Sequence, residues 1–130
     1  TLEIVHQKCK PKFYHEFALS KLRNSDYKLA VCSNSIRNSV QVMLDKASLL
    51  QYMDFFISNQ DVTKGKPDPE MYTNAIERFG LSPEECMIVE DNDHGIAAAK
   101  ASGANVMEVE TVEDVNYLNI SKHIKLFEEA

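Results

Sequence analysis

Three groups of polar residues in the sequence each follow a short apolar run or a tight turn. The first is Ser33-Asn34-Ser35, directly after KLAVC. Hydroxyl groups and backbone amides at a strand-to-helix turn form an anion site of phosphate size, and the amino terminus of the helix adds partial positive charge. These residues predict a phosphate-binding turn, although a simple helix cap at Ser35 explains the segment equally well.

The second group lies in the turn KGKPDPE, where Lys66 stands between Gly65 and Pro67. A lysine held in a restricted turn can neutralise phosphate charge. An isolated turn lysine is more often solvated, so this segment taken alone leaves both interpretations open. Lys64 has a weaker claim to the same role.

The third group is the adjacent pair Glu90 and Asp91, directly after the apolar run MIV. Two neighbouring carboxylates at the end of a buried strand repel each other unless a cation or solvent shares the site. Oxygen ligands that leave room for water suit Mg²⁺. The pair therefore predicts a magnesium site, with an acidic loop as the alternative.

Short apolar runs alternate with segments of helical spacing along the chain. Pro11, Ser35 and Pro69 suit helix starts, and Gly80 and Gly103 suit helix ends. The predicted strands cover residues 29–32, 55–58, 86–89 and 104–109. The predicted helices cover 12–23, a segment after Ser35, 71–79, 96–102 and 123–129.

This alternation of strands and helices indicates an α/β fold with a parallel sheet and helices on both faces. In such sheets, polar residues at the carboxyl ends of the strands line the ligand crevice. We therefore expect the three polar groups to meet at one edge of the sheet.

Composition excludes several classes of protein. The chain has 130 residues, of which 44% are hydrophobic, enough for one domain. A net charge of −6 disfavours duplex nucleic acid as a partner, and no apolar run reaches the roughly 18 residues of a membrane span. Three cysteines without CxxC spacing argue against a disulfide framework or a zinc site. The expected compartment is a reducing cytoplasm.

Three segments in order, KLAVCSNS, KGKPDPEMY and MIVEDNDHGIAAAKASGA, resemble the haloacid dehalogenase (HAD) superfamily. The similar branch contains β-phosphoglucomutase and phosphoglycolate-type phosphatases, and the resemblance spans about residues 10–110. It implies a Rossmann-like core in which Ser33 and Asn34 bind phosphate and Lys66 balances charge. Ser33 and Lys66 are thus the expected catalytic residues, and Glu90 and Asp91 the expected Mg²⁺ ligands.

The family's first motif, DxDGT at the end of an amino-terminal strand, does not occur in this sequence. In the family its first aspartate attacks phosphorus, and its second works as a general acid and base. The only DxD, Asp91-Asn92-Asp93, follows the lysine motif and lacks Gly-Thr, so we assign Asp93 to a helix start. The resemblance implies that residues 1–10 are the end of a cap domain and 11–130 an incomplete core.

In the family's sheet the missing strand is central, between the strands that end at Ser33 and Glu90. Exposed strand edges recruit partners. We therefore expect another chain or an upstream piece of the same protein to supply this strand, or the remaining strands to pair directly.

The resemblance implies a Mg²⁺-dependent phosphatase or phosphomutase acting on a small phosphorylated metabolite, with this chain as a carboxyl-terminal portion inactive alone. The alternative is a non-catalytic HAD-like binding or interaction module. A response-regulator receiver would need an early acidic pair and a phosphoacceptor aspartate at mid-chain, which are not found. The expected partners are the metabolite and a strand-supplying chain or second copy, with neither nucleic acid nor membrane.

Overall fold

The computed structural model describes residues 13–46 and 48–129, which form helices and strands in alternation. The helices are α1 (Phe13–Asn24), α2 (Arg37–Lys46), α3 (Glu70–Phe79), α4 (Asp93–Ala101) and α5 (Tyr117–Glu129). The strands are β1 (Ala30–Cys32), β2 (Phe55–Ile57), β3 (Met87–Glu90) and β4 (Asn105–Glu108). The expected cap remnant (1–10) and the helix start at Pro11 lie outside the described residues. No helix among the described residues is long and apolar enough to cross a membrane.

Local sequence signals place these elements well. Gly80 ends α3 with a left-handed φ of 72°, and Gly103 follows α4 with a φ of 85°. Only glycine adopts this conformation without steric cost, which is why both helices stop where the sequence predicted. The last helix differs from its prediction, because α5 begins at Tyr117 rather than His123.

The strands form two parallel pairs. Strand β1 pairs with β2, with Ala30 opposite Phe55, and β3 pairs with β4, with Met87 opposite Asn105. Within the described part of the chain, β1 and β3 belong to separate two-stranded sheets. Direct pairing, one of the two outcomes we expected for the missing strand, therefore does not occur.

Helices cover both faces of the sheets. Cys32 and Ile88 pack in one buried cluster with residues of α3 and α4. Val89, the next residue along β3, packs in a different cluster with residues of α1 and α5. Successive strand residues point to opposite faces, so each strand contributes to both clusters. The predicted α/β class, with helices on both faces of a parallel sheet, is confirmed.

A cavity of about 600 Å³ lies between the two sheets, and we call it the interstrand cavity. Residues of both strands line it, among them Ala30 from β1 and Met87 from β3. Helix α3 contributes Ala75, and α1 and α5 contribute Leu19 and Ile120. The cavity is therefore bounded by strands at its sides and by helices from both layers.

Candidate functional site

Lys66 lies at the carboxyl ends of β1 and β3. Its side chain is 2% exposed. The Lys66 ammonium donates to the carbonyl oxygen of Cys32 at 2.9 Å and to Glu90 Oε2 at 2.8 Å. One cation thus links the last residue of β1 to the last residue of β3. A charge buried this far from water requires such partners.

The backbone of Lys66 is held by Asn34, in the turn after β1. The Lys66 N–H donates to Asn34 Oδ1 at 3.0 Å, and Asn34 Nδ2 donates to the Lys66 carbonyl at 3.3 Å. Gly65 permits this close approach, because a Cβ there would lie 2.6 Å from Asn34 Oδ1. The amide of Asn34 is therefore engaged with the lysine turn, and its role toward phosphate stays a prediction.

Glu90 ends β3, and its side chain is 0% exposed. Its Oε2 accepts hydrogen bonds from Lys66 and from the Tyr72 hydroxyl, whereas no described group bonds its Oε1. The carboxylate packs against the first turn of α4, where a Cβ at Gly95 would lie 2.2 Å from Oε1. Glycine at position 95 is what gives the Glu90 carboxylate its space.

Ser33 follows β1 and is fully buried. Its N–H donates to the Ile57 carbonyl at 2.9 Å, which extends the contact between β1 and β2 by one residue. Its Oγ accepts the N–H of Ser35 at 3.1 Å. Ser33 is thus held at the same sheet edge as Lys66, and its phosphate-binding role stays a prediction. Lys64 is exposed and lies outside this buried set.

Asp91 is half-buried in the turn between β3 and α4. Asn92 caps α4, since its Oδ1 accepts the Gly95 N–H at 2.8 Å. Asp93 is the first residue of α4, as expected for a helix-start residue. The turn therefore places Asp91 directly beside the buried Glu90, and gives its two acidic neighbours different tasks.

The donors at this edge fit a hard cation in part. Asp91 and Glu90 Oε1 offer carboxylate oxygens, and Mg²⁺ is usually bound through one or two carboxylates together with water and substrate phosphates. The described residues contain no group of three or more His, Cys, Asp or Glu side chains able to hold a metal ion. Two carboxylates would thus supply only part of a Mg²⁺ coordination shell.

Comparison with known protein families decides the membership of this chain. A family model described as haloacid dehalogenase-like hydrolase matches residues 2–109. The chain belongs to the haloacid dehalogenase-like hydrolase family. The match spans all three motifs from which the resemblance was drawn, so that prediction is confirmed.

Several curated relatives of this HAD-like chain are phosphatases by name. A phosphorylated carbohydrates phosphatase from Thermotoga maritima is 33% identical, over 66% of this chain and 40% of the relative. A pyrophosphatase from Oceanobacillus iheyensis is 30% identical, over 77% of this chain and 47% of the relative. A HAD-like hydrolase domain-containing protein from Arabidopsis thaliana is 39% identical, over 58% of this chain and 25% of the relative. The HAD-like chain spans at most about half the length of these relatives.

Solved structures give the same fold. A HAD family hydrolase from Deinococcus radiodurans, with bound phosphate and sodium, superposes with a TM-score of 0.70 at 28% identity. The match covers 85% of this chain and 49% of the hydrolase. A β-phosphoglucomutase from Clostridium difficile gives a TM-score of 0.76 at 17% identity, covering 93% of this chain and 58% of that protein. The second likeness concerns the fold alone.

Sequence reasoning brought most of the site together but missed Tyr72. The structure places Ser33, Lys66, Glu90 and Asp91 at one edge of the HAD-like core, as their positions after strands suggested. Tyr72 donates to Glu90 from α3, yet in the sequence it is one apolar position of an amphipathic helix. Its spacing of six residues from Lys66 was visible, but contact with Glu90 depends on how α3 packs on β3.

Proposed function

We propose that this chain is the phosphate-handling part of a Mg²⁺-dependent phosphatase or phosphomutase acting on a small phosphorylated metabolite. The observation that carries the proposal is the buried Lys66 ammonium, fixed between the carboxyl ends of β1 and β3. Such a cation at a ligand-binding sheet edge suits a phosphoryl group. The phosphatase names of relatives such as the Thermotoga maritima protein support the same substrate class.

Phosphoryl transfer depends mainly on positioning and on neutralising charge around the phosphorus. In the proposed site, Ser33 and Asn34 bind phosphate oxygens after β1. Lys66 offsets the negative charge of the phosphoryl group from its fixed place between the strands. The Asn34 contacts with the Lys66 backbone tie these two parts of the site together.

Glu90 and Asp91 would hold the Mg²⁺. Bound there, the ion supplies positive charge to the oxygens of the transferring group. Glu90 commits Oε2 to Lys66 and Tyr72 and retains only Oε1, whereas Asp91 is half-buried in the turn. Asp91 therefore carries the larger share of metal binding in this proposal.

The interstrand cavity supports the proposal that a further strand completes the enzyme. Its two sides are β1 and β3, each paired in parallel with one neighbour among the described residues. An added strand could pair with both edges. We propose that an upstream segment, another chain or a second copy supplies it, together with the attacking carboxylate. The chain alone would then be inactive, because its 130 residues contain no DxDGT.

The proposed compartment is the cytoplasm. Cys32 and Cys86 are free thiols in the structure. Free cysteines are typical of proteins kept in a reducing compartment.

The test compares the 130-residue chain with a form extended upstream by its own coding sequence. Both are assayed on a panel of phosphorylated metabolites, with Mg²⁺ and with a chelator. We expect Mg²⁺-dependent hydrolysis or isomerisation from the extended form only. Asp91→Asn should lower kcat/KM about a hundredfold or more, as when a charge-neutralising group is lost. Asp93→Asn, at the exposed start of α4, is the matched control.

Two results would contradict this function. Activity of the short chain that survives Asp91→Ala would show that the site has been assigned to the wrong residues. An extended form that turns over no substrate and binds no Mg²⁺ would favour the non-catalytic binding module instead.

A further inference from the structure

Tyr72 contacts both members of the buried ion pair. It lies in the first turn of α3 and is 1% exposed. Its hydroxyl donates to Glu90 Oε2, the same oxygen that accepts from Lys66. The Lys66 ammonium also lies 5.0 Å from the centre of the Tyr72 ring, within the range of a cation–π contact. One tyrosine thus touches the carboxylate with its hydroxyl and the ammonium with its ring.

The hydrogen-bond pattern at Glu90 is asymmetric. Two donors converge on Oε2, and Oε1 has no hydrogen-bond partner among the described groups. A carboxylate bound by Lys66 alone could turn and exchange its two oxygens, because the lysine offers a point charge without a fixed plane. A second donor, from a helix that packs on the strand, selects one orientation. Hydrogen bonds to an ionised acceptor are the stronger ones, so this selection is effective.

The remaining contacts show what the chosen orientation achieves. With Oε2 toward Lys66, the ammonium also reaches the Cys32 carbonyl at the end of β1. The main chain near Tyr72 is tied to the same residue, since the Cys32 thiol lies 3.8 Å from the Met71 carbonyl that accepts its hydrogen bond. Helix α3, β1 and β3 therefore converge on the lysine.

We propose that Tyr72 is a positioning residue that fixes the orientation of the Glu90 carboxylate and, through it, the place of the Lys66 ammonium. The relevance of this role to catalysis rests on the proposed function, whereas the role itself is a property of the folded chain. Tyr72 touches neither the proposed phosphate position nor the metal, and acts through Lys66 and Glu90. The sequence gives no other tyrosine or lysine this task.

Tyr72→Phe removes the hydroxyl and keeps the ring. Tyr52→Phe is the matched control, because the Tyr52 hydroxyl also donates to a glutamate, Glu16, at 3.2 Å. The readout is the ¹⁵N–¹H signal of the Lys66 side-chain ammonium in the lysine-labelled, metal-free 130-residue chain, assigned by its loss in Lys66→Arg. This signal reports on the lysine directly and does not follow from stability alone.

We expect the Lys66 ammonium of the wild-type chain to give a protected signal. Tyr72→Phe should shift this signal and speed the exchange of its protons about tenfold or more, as loss of a hydrogen bond to a charged group predicts. Tyr52→Phe should leave it unchanged. A Lys66 signal equally unaffected by both variants would overturn the proposal, even if Tyr72→Phe lowers stability.

A measurement on the unaltered tyrosine covers the case in which Tyr72→Phe does not fold. The Tyr72 hydroxyl proton of the wild-type chain should exchange slowly and give a resolved signal, and Glu90→Gln should displace it. Absence of any protected Tyr72 hydroxyl proton in the folded wild-type chain would overturn the proposal independently.

An activity measurement separates this proposal from the proposed function. In the extended form, Tyr72→Phe should lower kcat about tenfold with little change in KM, because the substrate still binds but the lysine is less well placed. A normal kcat in that variant would overturn the catalytic part of the role. If the extended form has no activity at all, the proposed function fails while the ammonium signals still decide the role of Tyr72.

Discussion

Two ion pairs near the same edge of the sheet differ sharply in their surroundings. Lys66 and Glu90 are 2% and 0% exposed, whereas Arg37 and Asp61 are 46% and 25% exposed. Their closest N–O distances are similar, 2.8 Å and 2.5 Å. The contact distance alone therefore does not distinguish a pair that shapes a site from a pair that fastens a surface loop.

The surroundings of each carboxylate explain the difference. Asp61 also accepts from the Ser58 N–H at 2.8 Å and the Ser58 hydroxyl at 3.0 Å, so it caps a short 3₁₀ turn whether or not Arg37 is present. Glu90 depends on Lys66 and Tyr72, with no water to replace either. The Arg37 pair is dispensable on this comparison, and the Lys66 pair is not.

Breaking the buried pair should have the largest effect. Lys66→Met leaves the Glu90 carboxylate buried without its cation, and such losses typically lower the free energy of unfolding by about 3–5 kcal/mol. Urea unfolding of the 130-residue chain measures this, with Arg37→Met as the control. Adding Glu90→Gln to Lys66→Met should recover part of the loss. A cost no greater than that of Arg37→Met would erase the distinction between the two pairs.

Filling the space beside Glu90 should have the next largest effect. A Cβ at Gly95 would lie 2.2 Å from Oε1, so Gly95→Ala must displace the carboxylate or α4, at a typical cost of about 1–3 kcal/mol. Alanine is the better helix former, by roughly 1 kcal/mol. The sign of the change in urea midpoint therefore decides the matter, and a more stable Gly95→Ala chain would contradict the tight packing around Glu90.

Removing Arg37 should have a smaller effect. Exposed ion pairs contribute about 1 kcal/mol or less, and salt screens them. Arg37→Met should thus lower stability slightly in dilute buffer, and the difference should shrink in 1 M NaCl. The loss caused by Lys66→Met should persist in the same salt, because water and ions do not reach that pair. Equal salt sensitivity of the two variants would count against the comparison.

The pH dependence of Asp61 gives the finest test. Burial opposes its ionisation, but hydrogen bonds from Arg37 and Ser58 outweigh burial and hold the pKa of Asp61 below its usual value. Between the folded and unfolded pKa values, the unfolded chain binds more protons, so stability falls as the pH is lowered through that window. Asp61→Asn should flatten this part of the profile below pH about 4. Unfolding curves with the same acid slope in both proteins would contradict it.

The sequence predicted the elements better than the contacts between them. Gly80, Gly103 and the Ser82–Glu85 capping box are local signals, and each appears in the structure where expected. The meeting of Ser33, Lys66 and Glu90 at one edge followed from the rule that parallel strands share a direction. These predictions need only neighbouring residues and the class of sheet.

The remaining features depend on packing between distant elements. That Lys66 bonds Glu90 directly, that Asn34 grips the Lys66 backbone, and that Tyr72 joins the pair all depend on how α3 and two turns are placed. Each such contact joins residues 18–34 positions apart in the chain. No periodicity reports contacts of this separation, so they became visible only in the structure.

The interstrand cavity has a further consequence for the behaviour of the chain in concentrated solution. Strand edges with unsatisfied pairing capacity template association with other chains, and an apolar lining favours it. We therefore expect turbidity and oligomers to increase with protein concentration, and a short extended peptide that enters the cavity to suppress both. The yield of soluble protein would then depend less on the helices and turns described above than on what occupies the space between β1 and β3.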